Sequence, residues 1–167
     1  EGVPFIKTGG LADVVGSLPK CYNKEEYDVR VILPKYMCMK EEWKNKMNYV
    51  THFYMDLAWR SQYVGVLEMQ YDGVQFYFID NEYYFAGPKP YGNIYQDIEK
   101  FAFFSKAALS ALPVIGFKPD IVHCHDWQTG LVPVLLKDKF HEGEFFRDMK
   151  SIITIHNLKF QGVWDVK

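Results

Sequence analysis

Two short apolar segments with a helical segment between them constrain the fold of this chain most strongly. Residues 120–125 (DIVHCH) and 151–156 (SIITIH) have the length and composition of strands. Residues 127–140 are predicted to form a helix, although Pro133 lies near its start. Because strand, helix and strand in this order make a βαβ unit, we expect a parallel sheet that is buried on both faces.

The N-terminal part of the chain adds elements of the same kind. Gly9-Gly10 is expected to open a helix that Pro19 ends, because proline cannot continue the helical hydrogen bonding. A strand is predicted over residues 27–33, closed by Pro34, and residues 40–46 are charged and favour a helix.

The middle of the chain is rich in aromatic residues and has the pattern of a β-meander. Strands are predicted over residues 49–59, 62–71 and 74–80. Asp72-Gly73 between the last two predicts a tight hairpin, which needs positive φ angles. Asp97 is predicted to cap the helix that follows. The predicted fold class is therefore α/β, with a Rossmann-like parallel sheet, helices on both of its faces and an added β-meander or hairpin.

Charge and cysteine usage exclude several classes of function. The formal charge is −2 and the lysines are scattered, unlike the basic surface of a nucleic-acid-binding protein. No apolar run approaches the roughly 20 residues of a membrane span. The three cysteines have no C-x-x-C spacing, and an odd number without a secretory signal favours reduced thiols. We therefore expect a cytoplasmic protein that binds neither nucleic acid nor membranes.

The first of three polar motifs covers residues 7–13 (KTGGLAD). Two glycines at the start of a helix let backbone N–H groups approach an anion, and the helix dipole favours negative charge there. Lys7 adds a positive charge suited to phosphate. From the residues alone, a simple Gly-Gly turn beside a surface lysine is the favoured explanation of this motif.

The second motif, residues 123–127 (HCHDW), closes one predicted strand and opens the next helix. Strand alternation places His123 and His125 on one face and Cys124 on the other. A metal site is disfavoured because no further ligand cluster stands nearby. Asp126 is expected to cap the helix and to face a ligand crevice.

The third motif, residues 154–158 (TIHNL), is followed by Gln161-Gly162. His156 and Asn157 form a hydrogen-bonding pair at the end of a strand, although a lone histidine there is more often structural. Ligands of open α/β sheets bind outside the carboxyl ends of the strands, so we expect the three motifs to meet at one crevice. Neither a serine nucleophile elbow nor a glycosidase-like carboxylate pair is present. The residues alone thus predict a sugar or nucleotide site.

Together these motifs resemble those of the bacterial glycogen synthases and plant starch synthases. The resemblance rests on residues 7–14 (KTGGLADV), 123–131 (HCHDWQTGL) and 154–162 (TIHNLKFQG), in the same order and spacing. It implies the GT-B fold, in which two Rossmann-like domains face each other. Residues 1–167 would be a single N-terminal domain truncated at both ends, and the C-terminal nucleotide-binding domain of the same chain would be absent.

The resemblance also implies an activity. The family transfers glucose from ADP-glucose to the non-reducing end of an α-1,4-glucan, with retention of configuration and with neither a metal nor another cofactor. It implies His156 and Asp126 as catalytic residues, with His156 bonding a glucose hydroxyl and Asp126 near the sugar and the acceptor. The implied substrate-binding residues are Lys7, Gly9, Gly10, Tyr95 and Asn157. Because the second domain would carry the remaining charges of the site, we expect no transferase activity from residues 1–167 alone.

Two alternatives remain open. A sucrose synthase-like glucosyltransferase shares the second and third motifs more loosely. A non-catalytic Rossmann-like module that binds a sugar or a nucleotide is the alternative from a different class.

Overall fold

The computed structural model describes residues 1–163, which fall into two compact units with their boundary between Pro90 and Tyr91. Each unit is described by itself. The expectation of one domain over 1–167 stays a prediction.

A mixed four-stranded sheet forms the centre of the first unit, in the order β1-β4-β3-β2. Its strands are β1 (Arg30–Pro34), β2 (Asn48–Leu57), β3 (Arg60–Tyr71) and β4 (Val74–Asp80). β1 runs parallel to β4, while β3 is antiparallel to both β2 and β4. The predicted meander is thus confirmed, and the strand predicted from Tyr27 begins at Arg30 instead.

The turn between β3 and β4 has the backbone that its sequence predicts. Asp72 has φ 51° and Gly73 has φ 72°, so both residues lie in the left-handed region that a type I′ turn requires. The hairpin is closed directly at this turn by the pairing of Tyr71 with Val74.

An aromatic cluster around Phe5 fills the core of the first unit. The Phe5 ring lies 4.8 Å from that of Phe76 and 5.1 Å from that of Phe78, measured between centroids. Trp43 and Tyr71 meet the same ring edge-on at 5.4 and 5.7 Å. Edge-to-face packing of this kind stabilises a core beyond simple area burial. Part of the high aromatic content therefore serves the core, as expected.

Three helices belong to the first unit: α1 (Gly10–Ser17), α2 (Glu41–Lys44) and α3 (Glu82–Phe85). A 3₁₀ turn, Leu18–Cys21, follows α1 and contains Pro19, which confirms the predicted end of the α-helix. α1 lies close to the segment before it, because a Cβ on Gly16 would come within 2.5 Å of the carbonyl oxygen of Val3. Only glycine at position 16 therefore lets α1 pack this closely against Val3.

The second unit begins with the long helix α4 (Ile94–Val114). The prediction that Asp97 caps it is wrong. Asn93 is the cap, and its side-chain oxygen accepts a hydrogen bond from Tyr95 N at 2.9 Å. Asp97 lies in the first turn, buried, where its carboxylate accepts from Lys100 Nζ at 2.6 Å and from Gly92 N at 2.9 Å. Helix formation starts one turn earlier because Asn93 offers the first acceptor.

A parallel pair of strands, β5 (Ile121–His125) and β6 (Lys150–Thr154), completes the second unit. Between them the chain forms a 3₁₀ turn (Trp127–Thr129), helix α5 (Leu131–Leu135) and a π-helical turn (Leu136–Phe140). The predicted βαβ unit is confirmed. Within residues 1–163 no helix, α4 included, is both long enough and apolar enough to cross a membrane.

The predicted α/β fold class is confirmed, with parallel pairing of β1 with β4 and of β5 with β6, although the described strands do not form a single sheet. The strands form two sheets, one mixed and one parallel. Phe76, Phe78 and Ile79 of β4 are fully buried, whereas Ile152 and Ile153 of β6 are exposed. β4 lies in the middle of its sheet, with β1 and β3 beside it, while β6 pairs with β5 alone. A two-stranded sheet has too few neighbours to be covered on every side.

Candidate functional site

The residues predicted to form the site fall on both units. The first motif belongs to the first unit, and the second and third motifs belong to the second unit. Whether all three meet at one crevice stays a prediction, and each group is described by itself.

The loop before α1 presents two backbone N–H groups to one carboxylate oxygen. Oε2 of Glu1 accepts hydrogen bonds from Thr8 N at 2.5 Å and from Gly9 N at 3.2 Å. Chemically, this oxygen stands in for an anionic oxygen such as that of a phosphate. No side chain caps α1, and the two N–H groups at its start have the Glu1 carboxylate as their acceptor, as an anion-binding loop would have a ligand.

The two glycines of the loop are not required by its own geometry. Gly9 has φ −157°, which any residue adopts, and a Cβ on Gly9 or Gly10 would meet no atom within 4 Å. Neither backbone conformation nor packing against the described residues therefore demands glycine there. The space beside them lets a ligand approach the backbone closely.

Lys7 forms an ion pair that sequence reasoning did not identify. Its Nζ lies 2.7 Å from Oδ2 of Asp13, and both side chains are about half exposed. Asp13 follows Lys7 by six residues, one turn into α1. The lysine is thus held beside the start of the helix by a carboxylate that a ligand phosphate would have to replace.

Asp126 links the second motif to the third. Its side chain makes no capping hydrogen bond, so the prediction of a helix cap is wrong. Instead, Oδ1 accepts from the backbone N–H of His156 at 2.7 Å and from Nε2 of Gln161 at 2.9 Å. The backbone N–H of Asp126 donates in turn to Thr154 O at 2.9 Å. Asp126, a single buried residue, therefore joins the two strand ends by two hydrogen bonds and holds the loop after them by a third.

The backbone of Asp126 is strained. Its φ of 59° and ψ of −174° lie in a region that only glycine adopts readily. Such a conformation costs about 1–3 kcal/mol and persists only where the surroundings enforce it. A non-glycine residue is kept in this conformation where its side chain is needed. Strained backbone of this kind is typical of functional sites.

Three histidine rings stack beside Asp126. His123 and His125 lie on the same face, as predicted, with ring centroids 4.3 Å apart, and Cys124 is buried on the other face. His125 and His156 stack at 5.3 Å with nearly parallel planes, and Nδ1 of His125 lies 3.0 Å from Nε2 of His156. Within the described residues, Nδ1 of His156 makes no hydrogen bond, so it is one of the ring nitrogens open to a ligand.

Burial lowers the pKa values of two rings in this stack. Desolvation, with smaller contributions from the neighbouring His123 and His156, lowers the pKa of His125 to about 4. Burial also lowers the pKa of His123. His125 is therefore neutral near pH 7 and shares one proton with His156 in their hydrogen bond. Burial raises the pKa of the Cys124 thiol to about 12, which makes this cysteine a packing residue.

Gly162 and Trp127 fix the loop after His156. Gly162 has φ 64°, and a Cβ there would come within 2.7 Å of the Trp127 ring, so only glycine fits. Gln161 Nε2 also donates to Asn157 O at 2.7 Å. Asn157 itself uses its side-chain oxygen to accept from Lys159 N at 3.0 Å, capping the 3₁₀ turn Leu158–Phe160. Its predicted role in substrate binding therefore rests on its amide nitrogen.

Tyr95 makes no polar or ring contact with the second and third motifs. Its side chain is 70% exposed and makes no hydrogen bond or ring contact in the part of the chain that the structure describes. Tyr91 occupies the position beside the second motif instead. Its hydroxyl accepts from Nε2 of Gln128 at 3.0 Å, and its ring lies 5.9 Å from Phe101, which packs against Trp127. Sequence reasoning missed Tyr91 because a loop tyrosine after a proline carries no local signal.

Among residues 1–163, no three or more histidine, cysteine or acidic side chains are grouped so that they could hold a metal ion. The groups that the predicted site residues offer are backbone N–H groups, one lysine, imidazole rings and a carboxylate.

Comparison with known proteins identifies the family to which the whole chain is similar. The model of the starch synthase catalytic domain family matches residues 1–167. The glycogen synthases of Lachnospira eligens and Lachnoclostridium phytofermentans are 70% and 71% identical over the whole chain, which covers 35% of each. The catalytic domain of starch synthase IV from Arabidopsis thaliana, solved bound to ADP and acarbose, superimposes with a TM-score of 0.85 at 32% identity, over 97% of this chain and 33% of that one. The chain thus spans about a third of the length of these relatives.

Proposed function

The chain belongs to the starch synthase catalytic domain family, and from that premise we propose that it forms part of a retaining glycosyltransferase. Its α/β fold is that of the GT-B starch synthases. The reaction proposed is the transfer of glucose from ADP-glucose to the non-reducing end of an α-1,4-glucan, which is a step in glycogen synthesis. ADP-glucose and the glucan are the proposed partners, and we propose that the protein acts in the cytoplasm without a metal or another cofactor.

The link between Asp126 and His156 carries this proposal. Asp126 is buried and its backbone is strained. Its carboxylate fixes the loop of the third motif, because Oδ1 accepts from the backbone N–H of His156 at 2.7 Å. The loop in turn presents an imidazole whose Nδ1 makes no hydrogen bond within residues 1–163. An imidazole nitrogen beside a fixed carboxylate suits recognition of sugar hydroxyls.

Within this site we propose distinct roles for the two residues. His156 bonds a hydroxyl of the transferred glucose, the 6-hydroxyl by resemblance to the family. Asp126 holds His156 through Oδ1, and its Oδ2, which makes no hydrogen bond within residues 1–163, lies beside the sugar and the acceptor. Asn157 contributes its side-chain amide nitrogen. Tyr95 is proposed to contact the glucan acceptor, a role that no hydrogen bond or ring contact of its side chain within residues 1–163 supports.

The first motif is proposed to bind the diphosphate of the donor. Charge develops on the diphosphate as the glucosyl bond breaks, and fixed N–H dipoles with a lysine stabilise such charge without reorganising. The N–H groups of Thr8 and Gly9 already bind a carboxylate oxygen, which supports this role. Lys7 and the open space at Gly9 and Gly10 would complete the contact.

The remainder of the protein is proposed to supply the second domain, which binds the nucleotide. The relatives are about three times as long as this chain. Closure of two domains around the donor would exclude water, which otherwise hydrolyses it. Residues 1–167 by themselves are therefore proposed to be inactive.

The test is a donor-by-acceptor assay on the full-length protein. We expect transfer of glucose from ADP-glucose to glycogen, and no transfer when residues 1–167 are assayed alone. Transfer to fructose would instead identify a sucrose synthase-like enzyme. Binding of sugar or nucleotide without any transfer by the full-length protein would identify a non-catalytic module and overturn the proposal.

A further inference from the structure

The side-chain amide of Gln161 joins the third motif to the carboxylate of Asp126. Nε2 of Gln161 donates to Oδ1 of Asp126 at 2.9 Å and to the carbonyl oxygen of Asn157 at 2.7 Å. Both partners are acceptors, so the amide nitrogen, which carries two hydrogens, is the end of the amide that faces them. One side chain thus uses both of its donors, one on the second motif and one on its own loop.

The loop of residues 157–163 has few other attachments. Leu158 is 82% exposed and Phe160 is 67% exposed, so neither side chain anchors the loop by burial among the described residues. The side chain of Asn157 bonds within the loop. Within the described part of this loop, Gln161 is therefore the residue whose side chain forms a hydrogen bond to the rest of the second unit.

Two donors meet at the same oxygen of Asp126. Oδ1 accepts from the backbone N–H of His156 at 2.7 Å as well as from Gln161, whereas Oδ2 makes no hydrogen bond within residues 1–163. The backbone N–H alone would let the carboxylate pivot about a single hydrogen bond. The amide of Gln161 removes this freedom, because hydrogen bonds to a charged group are strong and two of them define a direction. Gln161 therefore fixes where Oδ2 points.

We propose that Gln161 is a positioning residue for the transfer reaction and acts through Asp126. It holds Oδ1 towards the third motif, so that Oδ2 of Asp126 and the ring of His156 keep a fixed relation to the transferred glucose. The proposal rests on the proposed function, since that function gives Asp126 and His156 their places beside the sugar. A displacement of about 1 Å can cost roughly 100-fold in rate, so Gln161 should matter for kcat more than for the binding of ADP-glucose.

A double-mutant cycle in the full-length protein tests whether Gln161 acts through Asp126. Gln161→Met keeps the length of the side chain and removes both donors. With Asp126 present, this change should lower kcat about 10- to 100-fold and change KM for ADP-glucose by less than about threefold. In the Asp126→Ala background it should lower kcat by less than about twofold, because the carboxylate that it positions is gone. Equal losses in the two backgrounds would overturn the proposal, because Gln161 would then act independently of Asp126.

The pH profile of Gln161→Glu gives a readout that packing alone would not move. Protonated, the introduced carboxyl group donates a hydrogen bond to Asp126, whereas ionised it repels the carboxylate. The ratio of its kcat to that of the wild type should therefore fall about fivefold or more between pH 5 and pH 8. Other titratable rings beside the pair, those of His125 and His156, are present in both proteins, so the ratio cancels their titration. Gln96→Glu, at an exposed glutamine of the same unit, should give a constant ratio. A constant ratio in Gln161→Glu as well would overturn the proposal.

Thermal unfolding separates a lost position from a lost fold. Gln161→Met should be fully folded at the assay temperature, so that its lower kcat belongs to folded protein. A loss of activity that follows the folded fraction would overturn the proposal in favour of a structural role. If Gln161→Met does not fold, Gln161→Glu decides the question, since at pH 5 it keeps one of the two hydrogen bonds. Failure of the proposed function is distinguishable, because wild-type protein would then show no transfer from ADP-glucose to glycogen at all.

Discussion

Oδ1 of Asp126 accepts a hydrogen bond from the backbone N–H of His156 at 2.7 Å, across 30 residues of sequence. The same oxygen accepts from Gln161, so one atom sets the positions of the His156 ring and of the loop behind it. Because Asp126 is buried, removing its carboxylate leaves two donors without an acceptor. The fixed imidazole of the proposed site thus depends on a residue one strand away.

Asp126 variants separate position from charge. Asp126→Ala should lower kcat/KM by roughly 5- to 150-fold and lower the Tm, because an unsatisfied buried donor costs about 1–3 kcal/mol. Asp126→Asn keeps an oxygen acceptor and should keep the wild-type Tm, with a smaller loss confined to kcat. Steady-state kinetics and thermal unfolding of the full-length protein measure both. Wild-type values of both quantities in Asp126→Ala would show that the link has no role.

His156→Ala should lower kcat/KM by an amount that corresponds to about 2–4 kcal/mol, since a hydrogen bond that strengthens in the transition state is lost. His141→Ala is the matched control, because His141 is an exposed histidine of the same unit. It should behave as the wild type. If the loss in His156→Ala were fully explained by unfolding, seen as a lower folded fraction by circular dichroism, the histidine would be structural.

Lys7→Ala should raise KM for ADP-glucose and lower kcat, because a charge-assisted contact to the diphosphate disappears. Such contacts contribute about 1.5–3 kcal/mol, or roughly 10- to 150-fold in kcat/KM. Lys20→Ala is the control, since Lys20 also forms a surface ion pair, with Asp72 at 2.6 Å. Kinetic constants for ADP-glucose that are equal in the two variants would contradict the role of Lys7.

The cap of α4 allows a stability test that leaves the candidate site intact. Asn93→Ala should destabilise the protein by about 1 kcal/mol, because the Tyr95 N–H loses its acceptor. Thermal or urea unfolding measures this. Asn157 caps a short turn in the same manner, so Asn157→Ala with a similar loss would indicate that its role is structural as well.

The elements of the fold were predictable where local signals are strong. The Asp72-Gly73 hairpin, the helix after Gly9 and the βαβ unit of β5 and β6 follow from turn chemistry and apolar patterning. The cap of α4 was misplaced because Asn93 and Asp97 are both good caps, and burial beside Lys100 decided between them. The division into two sheets was not predictable, since strand pairing over long separations leaves no local mark.

Sequence patterns predict which residues of the candidate site share a strand face, and they do not predict the contacts of those residues. Alternation alone places His123 and His125 on one face. No pattern shows that Asp126 adopts a left-handed φ or that it accepts from Gln161, because both arise when β5 and β6 align. The same holds for Tyr91, whose position depends on Gln128 far along the chain.

The pH dependence of stability should reveal the histidine stack. The pKa of His125 is about 4 in the folded protein, below its ordinary value of about 6.5. Between these values the unfolded chain binds more protons, so this contribution is present above pH 6.5 and is lost as the pH falls towards 4.

Urea unfolding of the full-length protein at pH 7.5 and pH 5 measures this contribution to the free energy of unfolding. For His125 the difference between the two pH values should be on the order of 1–2 kcal/mol, since the ring is only half-buried and water screens part of the shift. His125→Gln removes the titrating ring and keeps a polar side chain, so the difference in stability between the two pH values should shrink by that amount. His141→Gln, in which an exposed ring is removed, should leave it unchanged. A difference that is equal in wild type and His125→Gln would mean that His125 is not held neutral by burial, and the proton sharing proposed for His125 and His156 would fail with it.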